Sequence, residues 1–148
     1  MITFKKIVLT GADSGIGLET LKLLAKDGTN KILAVDINCE NMDKIGSNVI
    51  PMKIDVSSQQ AVDEIFEKAE AEFGKIDIFY ANAGYPYYEL MDYVDWDRTA
   101  RMFETNVYSP IYSYQKYHNR NKNQVFHRIV GKFWDAFLGA VLARFAAP

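Results

Sequence analysis

Short apolar runs alternate with longer segments of helical periodicity over the first 83 residues of the chain. Four of these runs have the length and composition of strands, at residues 7–10, 31–36, 49–54 and 76–81. Since each run is followed by a longer segment, the pattern predicts strands joined by helical crossovers, which is the arrangement of a parallel sheet.

The segments after the first and the third run carry apolar residues at the spacing of a helix. The first predicted helix presents Ile16, Thr20, Leu23 and Leu24 on one face, and the second presents Val62, Ile65, Phe66, Ala69 and Phe73. Ser57 and Gln60 form a capping-box pattern where the second helix should begin, and Gly74 stands where it should end. Strands alternating with helices predict an α/β fold around an open, doubly wound parallel sheet.

The pattern changes after Tyr85. Residues 94–105 predict a third helix, and helical character resumes after Asn106. The polar tract 118–124 predicts a helix end and a turn, residues 125–130 a fifth strand, and residues 131–148 an apolar helix suited to burial or to an interface. Because the sequence contains no internal repeat and no linker, we assign residues 1–148 to one domain with about five strands.

Composition excludes several classes of function. The chain of 148 residues is 49% hydrophobic and 24% charged, with a formal charge of −2, so it lacks the basic surface of a nucleic-acid-binding protein. It has no apolar run long enough to cross a membrane, and its N-terminus does not resemble a signal peptide. The single cysteine, Cys39, fits a reducing compartment, and we interpret it as a spectator. We therefore expect a cytoplasmic protein without membrane or nucleic-acid partners, and we assign no metal ligands.

Three glycines lie between the first predicted strand and the first predicted helix, within the sequence TGADSGIG at residues 10–17. In a dinucleotide-binding turn, one glycine makes the tight turn, one lets the backbone approach a pyrophosphate, and one lets helix and strand pack closely. The N-terminus of the helix offers unpaired N–H groups to the phosphates. The turn predicts a cofactor site with the candidate residues Thr10, Gly11, Ser14, Gly15, Ile16 and Gly17.

The same eight residues resemble the TG-x-x-x-G-I-G turn of the compact, single-domain short-chain dehydrogenases/reductases. The resemblance implies a Rossmann-type fold, an NAD(H) or NADP(H) cofactor and a small-molecule alcohol or ketone substrate. It is secure over residues 3–110, whereas residues 131–148 form a divergent tail. Related enzymes are often homo-oligomers, and this state stays open for the present chain.

Asp36 ends the second predicted strand, 19 residues after Gly17. A carboxylate at this position accepts hydrogen bonds from the adenosine ribose hydroxyls and repels the additional phosphate of NADP. No basic residue adjoins Asp36, since Ile37 and Asn38 follow it, and the glycine turn carries Asp13 where a cation would favour that phosphate. The sequence therefore predicts NAD as the cofactor.

Three further matches to the family follow in order along the chain. Asp55 and Val56 resemble the pair that flanks the adenine, and Asn82, Ala83 and Gly84 resemble the N-A-G motif beside the cofactor. Asn106 resembles the asparagine that interrupts the next helix and anchors a water in the proton relay, so the resemblance implies a catalytic role for it.

The other catalytic residues of the family have no counterpart in this sequence. The resemblance implies a serine near Lys132 and a Tyr-x-x-x-Lys pair at or beyond Pro148, but no serine follows Ser113. Tyr112 and Lys116 have the spacing of the pair but lie too soon after Asn106 to serve as it. We expect a chain that is truncated before its catalytic serine and tyrosine. Either a shifted reading frame after about Val130, which we favour, or a genuine tail helix explains the last residues.

The sequence thus leaves two main hypotheses of function. The first is an oxidoreductase of the short-chain family that transfers hydride between NAD(H) and an alcohol or ketone, with the catalytic activity of this chain lost. The second is a non-catalytic dinucleotide-binding or interaction module that uses the tail helix. A truncated product that folds poorly is a third hypothesis.

Overall fold

A computed structural model of the chain describes residues 2–88, 90–120 and 129–131. Within these ranges, five strands form one parallel sheet in the order β3-β2-β1-β4-β5. The strands are β1 (Lys6–Thr10), β2 (Lys31–Asp36), β3 (Val49–Lys53), β4 (Ile78–Ala81) and β5 (Ile129–Gly131). The chain therefore runs outward from β1 to one edge and returns to build the other side, as predicted for a doubly wound sheet.

In the part of the chain that the structure describes, four α-helices connect or follow the strands: α1 (Gly15–Ala25), α2 (Gln59–Phe73), α3 (Trp96–Phe103) and α4 (Ser109–Arg120). A π-helical segment, Glu104–Tyr108, joins α3 directly to α4. Two short 3₁₀ turns, Met42–Lys44 and Met91–Tyr93, lie in the connections after β2 and β4. None of the helices in the described ranges is long and apolar enough to cross a membrane.

The sheet is covered on both faces because its strand side chains alternate between two apolar cores. On one face, Val8, Leu33 and Phe79 pack with α2 and with Tyr117 of α4, and the rings of Phe66 and Phe79 stack with their centroids 4.9 Å apart. On the other face, the neighbours Ile7, Leu9, Ile32 and Ala34 pack with Leu21 and Ala25 of α1. This alternation confirms the predicted fold class.

Helix α2 forms where its apolar spacing predicts and buries the predicted face, with Ala61 in addition. The predicted N-terminal cap is wrong by one residue: Ser58 is extended and its hydroxyl accepts a hydrogen bond from the Ala61 N–H (3.1 Å). Ser57 lies outside the helix because its own N–H donates to the Asp55 carboxylate. Gly74 ends the helix as predicted, with a φ of 74°.

The predicted face of α1 is wrong in part, since Leu24 packs against the core as predicted but Ile16 and Leu23 do not. Ile16 and Leu23 are exposed (61% and 74%), whereas Gly17, Leu21 and Ala25 are buried. The cause is the close approach of Gly17 to the turn that precedes the helix, because this contact rotates the residues four and eight positions later toward the sheet. Ile16 is left on the side that lines a cleft.

Several predicted boundaries shift or lie outside the described residues. β3 ends at Lys53 and β4 begins at Ile78, so both are shorter than predicted. The third helix begins at Trp96 after its Asp95 cap and its α-helical geometry ends at Phe103, because the π segment that contains Asn106 separates it from α4. Of the predicted fifth strand, residues 125–128 are outside the described ranges, as are residues 121–124 of the polar tract and residues 132–148 of the predicted tail helix.

Candidate functional site

A cleft of about 610 Å³ opens at the carboxyl ends of the strands. It lies where the strand order reverses between β1 and β4, which is where open α/β sheets bind ligands. Its size is typical of a small-molecule site. The predicted cofactor residues that line it are Gly11, Ser14, Gly15, Ile16, Gly17, Asp36, Asp55, Val56, Asn82, Ala83 and Gly84. Five further residues line the cleft without having been predicted from the sequence: Ile37, Ile54, Tyr85, Arg101 and Thr105.

The three glycines of the turn meet three different demands. At Gly11, with a φ of 67°, a Cβ would lie 2.8 Å from the Ala83 Cα, and at Gly17 it would lie 1.7 Å from the Gly11 carbonyl oxygen. At Gly15, with a φ of 50°, a Cβ would meet nothing within 4 Å. Gly11 and Gly17 therefore allow the glycine turn, helix α1 and strand β4 to pack closely together. At Gly15 a Cβ would contact no described residue, so this glycine supplies only the positive φ of the turn.

The N-terminus of α1 faces this open region without a side-chain cap. Ser14 occupies the cap position in extended conformation, but its hydroxyl accepts no hydrogen bond from the helix. The first N–H groups of a helix have no partner within the helix. Because Ser14, Gly15, Ile16 and Gly17 all line the cleft, these donors and the positive end of the helix dipole suit an anionic group there.

Thr10 stands behind the turn and does not line the cleft. Its hydroxyl accepts hydrogen bonds from the backbone N–H groups of Asn82 (3.1 Å) and Ala83 (3.0 Å). In return, Asn82 Nδ2 donates to the carbonyls of Thr10 and Gly11, both at 3.1 Å. Asn82 Oδ1 is buried and receives no hydrogen bond from any described residue. Through these hydrogen bonds, Thr10 and Asn82 connect the end of β1 to the end of β4 and stabilise the glycine turn.

Asp36 is bonded to the glycine turn as well as exposed to the cleft. One carboxylate oxygen accepts from the Asp13 N–H (2.9 Å), and the other accepts from the Asn38 N–H (3.2 Å). The side chain of Asp13 is buried and turns away from the cleft, since its Oδ1 accepts from the N–H groups of Asn41 and Met42, both at 2.8 Å. The Asp13 side chain therefore links the loop after β2 to the glycine turn by hydrogen bonds. No pattern in the sequence predicts this contact.

Asp55, after β3, forms an ion pair with Arg101 of α3 across the cleft wall, with Asp55 Oδ2 2.9 Å from the Arg101 guanidinium. Its other oxygen accepts from the Ser57 N–H at 3.0 Å. Burial is the largest single influence and raises the pKa of the Asp55 carboxyl, but the hydrogen bonds from Arg101 and Ser57 outweigh it, so this pKa lies below its ordinary value. The hydrogen bond to Asp55 in turn raises the pKa of Arg101.

Asn106 does not line the cleft and acts on it through Tyr85. Its Oδ1 accepts from the Tyr85 N–H (3.0 Å) and its Nδ2 donates to the Tyr85 carbonyl (2.8 Å). A Cβ at Gly84 would lie 3.1 Å from Asn106 Oδ1, so glycine is what lets the two segments approach. Asn106 lies within the π segment, a type of distortion that is frequent at functional sites.

Tyr112 and Lys116 lie away from the cleft. Lys116 forms an ion pair with Asp63 of α2, and Tyr112 packs against the core that α2 and α4 share. Neither residue lines the cleft. Their positions support the interpretation of this Tyr-x-x-x-Lys spacing as coincidental.

Cys39 packs partly buried against the core that contains α1. Burial, followed by the nearby carboxylates of Asp43 and Asp13, raises the pKa of the Cys39 thiol. Since the thiolate is the reactive form, this environment does not activate the cysteine, in line with its interpretation as a spectator.

Comparison with known proteins identifies the family. A sequence model of the short chain dehydrogenases matches residues 5–130. The chain belongs to this family of oxidoreductases, whose members use a nicotinamide dinucleotide.

Individual relatives agree with this assignment. The chain is 34% identical over 113 residues to an uncharacterized oxidoreductase of Bacillus subtilis. The aligned region covers 72% of this chain and 32% of that protein. It is 35% identical over 103 residues to a 3-oxoacyl-[acyl-carrier-protein] reductase of Thermotoga maritima, covering 63% of this chain and 42% of the relative. The chain thus spans less than half the length of these two curated relatives.

Solved structures share the fold. A short-chain type dehydrogenase/reductase from Mycobacterium marinum has a TM-score of 0.76 at 20% identity, covering 87% of this chain and 55% of that one. A 3-ketoacyl-(acyl-carrier-protein) reductase from Brucella melitensis, complexed with NADH, has a TM-score of 0.71 at 24% identity. The match covers 93% of this chain and 66% of the reductase.

Proposed function

We propose that the cleft binds NAD(H) and that the chain is the cofactor-binding part of an oxidoreductase acting on an alcohol or a ketone. The observation that carries this proposal is the gathering of the glycine turn, Asp36 and Asp55 around one cleft at the switch point of the sheet. The related reductase complexed with NADH supports the same ligand class.

The residues present fit such a cofactor. The uncapped N–H groups of α1 would hold the pyrophosphate, with Gly15 leaving room for its approach. Asp36 would accept hydrogen bonds from the adenosine ribose, and Asp55 and Val56 would flank the adenine. Asn82, Ala83 and Gly84 would line the side nearer the nicotinamide. When bound, the cofactor supplies the hydride.

The charges of the cleft favour NAD over NADP in this proposal. Asp36 would present a carboxylate where NADP places its additional phosphate. Among the described residues that line the cleft, Arg101 is the only cation, and it is paired with Asp55.

Asn106 is best described as a positioning residue. Both ends of its amide are engaged with the backbone of Tyr85, a lining residue. We propose that it fixes the loop after β4 at the cleft and, through the π segment, contributes to the catalytic arrangement of a complete enzyme.

The test is a titration of the purified chain with NADH, followed by energy transfer from Trp96 and Trp134 to the nicotinamide. We expect saturable binding, roughly tenfold weaker in Asp36→Asn, since hydrogen bonds to a charged group contribute on this scale. Asp36→Asn keeps an acceptor for the Asp13 N–H, so it isolates the charge. Asp27→Ala, which removes an exposed carboxylate outside the cleft, should bind like the parent chain.

Two further results would overturn parts of the proposal. Tighter binding of NADPH than of NADH would refute the choice of cofactor. Turnover of NADH with a panel of ketones would refute the expectation that the chain lacks activity, whereas binding without turnover supports the cofactor-binding part alone.

A further inference from the structure

The aspartate in the middle of the glycine turn is buried, although the turn faces the cleft. Asp13 is 5% exposed and is not among the residues that line the cleft. Burial of a carboxylate is costly unless hydrogen bonds compensate for it. Here the N–H groups of Asn41 and Met42 both donate to Asp13 Oδ1 at 2.8 Å. The buried side chain therefore holds the loop after β2 against the glycine turn.

The backbone of Asp13 is fixed as well. Its carbonyl oxygen accepts from Asn41 Nδ2 at 3.1 Å, and its N–H donates to Asp36 Oδ2 at 2.9 Å. The side chain of Asp13 and the peptide groups on both sides of its Cα thus all have partners. Because one residue makes all these hydrogen bonds, the loop after β2 helps to set the direction in which the Asp13 N–H points.

These contacts close a ring at the end of β2. From Asp36 the chain runs forward to Asn41, Asn41 bonds Asp13, and Asp13 bonds back to Asp36. A second donor inside the ring, the Asn38 N–H, holds the other oxygen of the Asp36 carboxylate at 3.2 Å. Asp36 and its neighbour Ile37 are the members of the ring that line the cleft.

The ring restricts how the Asp36 carboxylate can move. Each of its oxygens has one donor from the ring and keeps a second lone pair for a ligand hydroxyl. Turning the carboxylate away from an additional phosphate would break one or both of these hydrogen bonds. A carboxylate that has lost the Asp13 N–H could turn more freely, because one restraint is gone.

We propose that Asp13 is a positioning residue for Asp36, and that it determines how strongly the cleft prefers NAD(H) to NADP(H), although its own side chain faces away from the ligand. The inference rests on the proposed function and deepens it. The Asp13 side chain acts through geometry: it anchors the turn to the loop, and this anchor keeps the Asp13 N–H directed at Asp36.

The test measures the dissociation constants of NADH and NADPH for the full chain, by energy transfer from tryptophan to the nicotinamide. We expect the parent chain to bind NADH roughly tenfold more tightly than NADPH. In Asp13→Ala this ratio should fall to about threefold or less, because NADH binds more weakly while NADPH does not. A residue that only stabilises the fold would weaken both dinucleotides and leave the ratio unchanged.

Asp13→Asn separates position from charge. Its amide oxygen still accepts from the N–H groups of Asn41 and Met42, so this variant should keep most of the parent ratio. If the charge of Asp13 itself repelled the phosphate, Asp13→Asn would lower the ratio as much as Asp13→Ala does, and the positioning role would be wrong. Asp43→Ala removes an exposed carboxylate from the same loop and should keep the parent ratio.

Circular dichroism establishes that each variant folds. If Asp13→Ala does not fold, Asp13→Ser takes its place, since the serine hydroxyl lies one bond closer to the backbone and cannot reproduce the contacts of the carboxylate. The ratio in Asp13→Ser should then be below that in Asp13→Asn.

The possible failures are distinguishable. A parent ratio in Asp13→Ala, or an equal loss of affinity for both dinucleotides, would overturn the inference and leave the proposed function standing. Tighter binding of NADPH than of NADH by the parent chain would overturn the inference together with the choice of cofactor. Absence of binding of either dinucleotide by the folded parent chain would overturn the proposed function as a whole.

Discussion

Single residues at the glycine turn determine whether three elements can approach one another. Gly17 packs against the carbonyl of Gly11, and Gly11 packs against Ala83 at the end of β4. Both contacts are shorter than a Cβ allows, so they exclude every other residue on steric grounds. Gly15 is different, since only its positive φ restricts the choice of residue.

Gly17→Ala should therefore be more damaging than Gly15→Ala. The added methyl at residue 17 would lie 1.7 Å from a backbone oxygen, and relieving this overlap should cost about 3 kcal/mol of the free energy of unfolding. Gly15→Ala should cost about 1 kcal/mol through the left-handed backbone alone. Urea unfolding of the two variants measures the difference, and equal stabilities would contradict the packing argument.

At the scale of elements, the ends of α2 show what a local pattern leaves unresolved. Both Ser57 and Ser58 are suitable caps, and the presence of Gln60 favours Ser57. The structure uses Ser58, because the turn after β3 already engages the Ser57 N–H with Asp55. The competing partner lies outside the helix, so helix-capping rules do not include it.

Ser58→Ala should lower the free energy of unfolding by about 1 kcal/mol through loss of the cap to the Ala61 N–H. Ser57→Ala is the matched control and should cost less, because it leaves that cap intact. Thermal unfolding monitored at 222 nm compares the two. The reverse order would support the capping box that the sequence predicts.

At the scale of the whole molecule, α4 is joined to the sheet by a buried tyrosine. Tyr117 is 1% exposed, and its hydroxyl donates to the Asp77 carbonyl (2.8 Å) just before β4. Burial, and secondarily the charge of Asp77, raises the pKa of Tyr117. The folded chain therefore retains the phenolic proton more strongly than the unfolded chain does.

Tyr117→Phe should lower the free energy of unfolding at pH 7 by about 1 kcal/mol, since the Asp77 carbonyl loses its donor. Because the folded pKa is raised, the parent chain loses the stabilisation linked to this proton as the pH rises above about 10, and the phenylalanine variant does not. Chemical unfolding measures the free energy of unfolding of the parent chain and of Tyr117→Phe at pH 7 and at pH 10.5. The difference between the two proteins should be smaller at pH 10.5. A gap that widens would contradict the assigned direction.

The sequence was sufficient for the sheet and for most of the residues that line the cleft, because both depend on local signals. Strand runs such as residues 31–36 and the glycine turn are readable from neighbours in the chain, and the alternation of strands with helices then predicts a parallel sheet. Arg101 was missed because it meets Asp55 from 46 positions away, through a helix with no buried face. The inward turn of Asp13 was missed because its partners belong to a loop after β2.

The hydrogen bond between Asp36 and the Asp13 backbone has a consequence for the evolution of cofactor preference. Asp36 is at once the charge that would exclude NADP and an acceptor that steadies the glycine turn, which Asp13 in turn fastens to Asn41 and Met42. A replacement of Asp36 by alanine or glycine, which would remove the charge, also removes that acceptor. If the cleft binds NAD as proposed, a lineage that changed its dinucleotide by such a replacement would also lose a contact of the glycine turn, so the two properties would be epistatic.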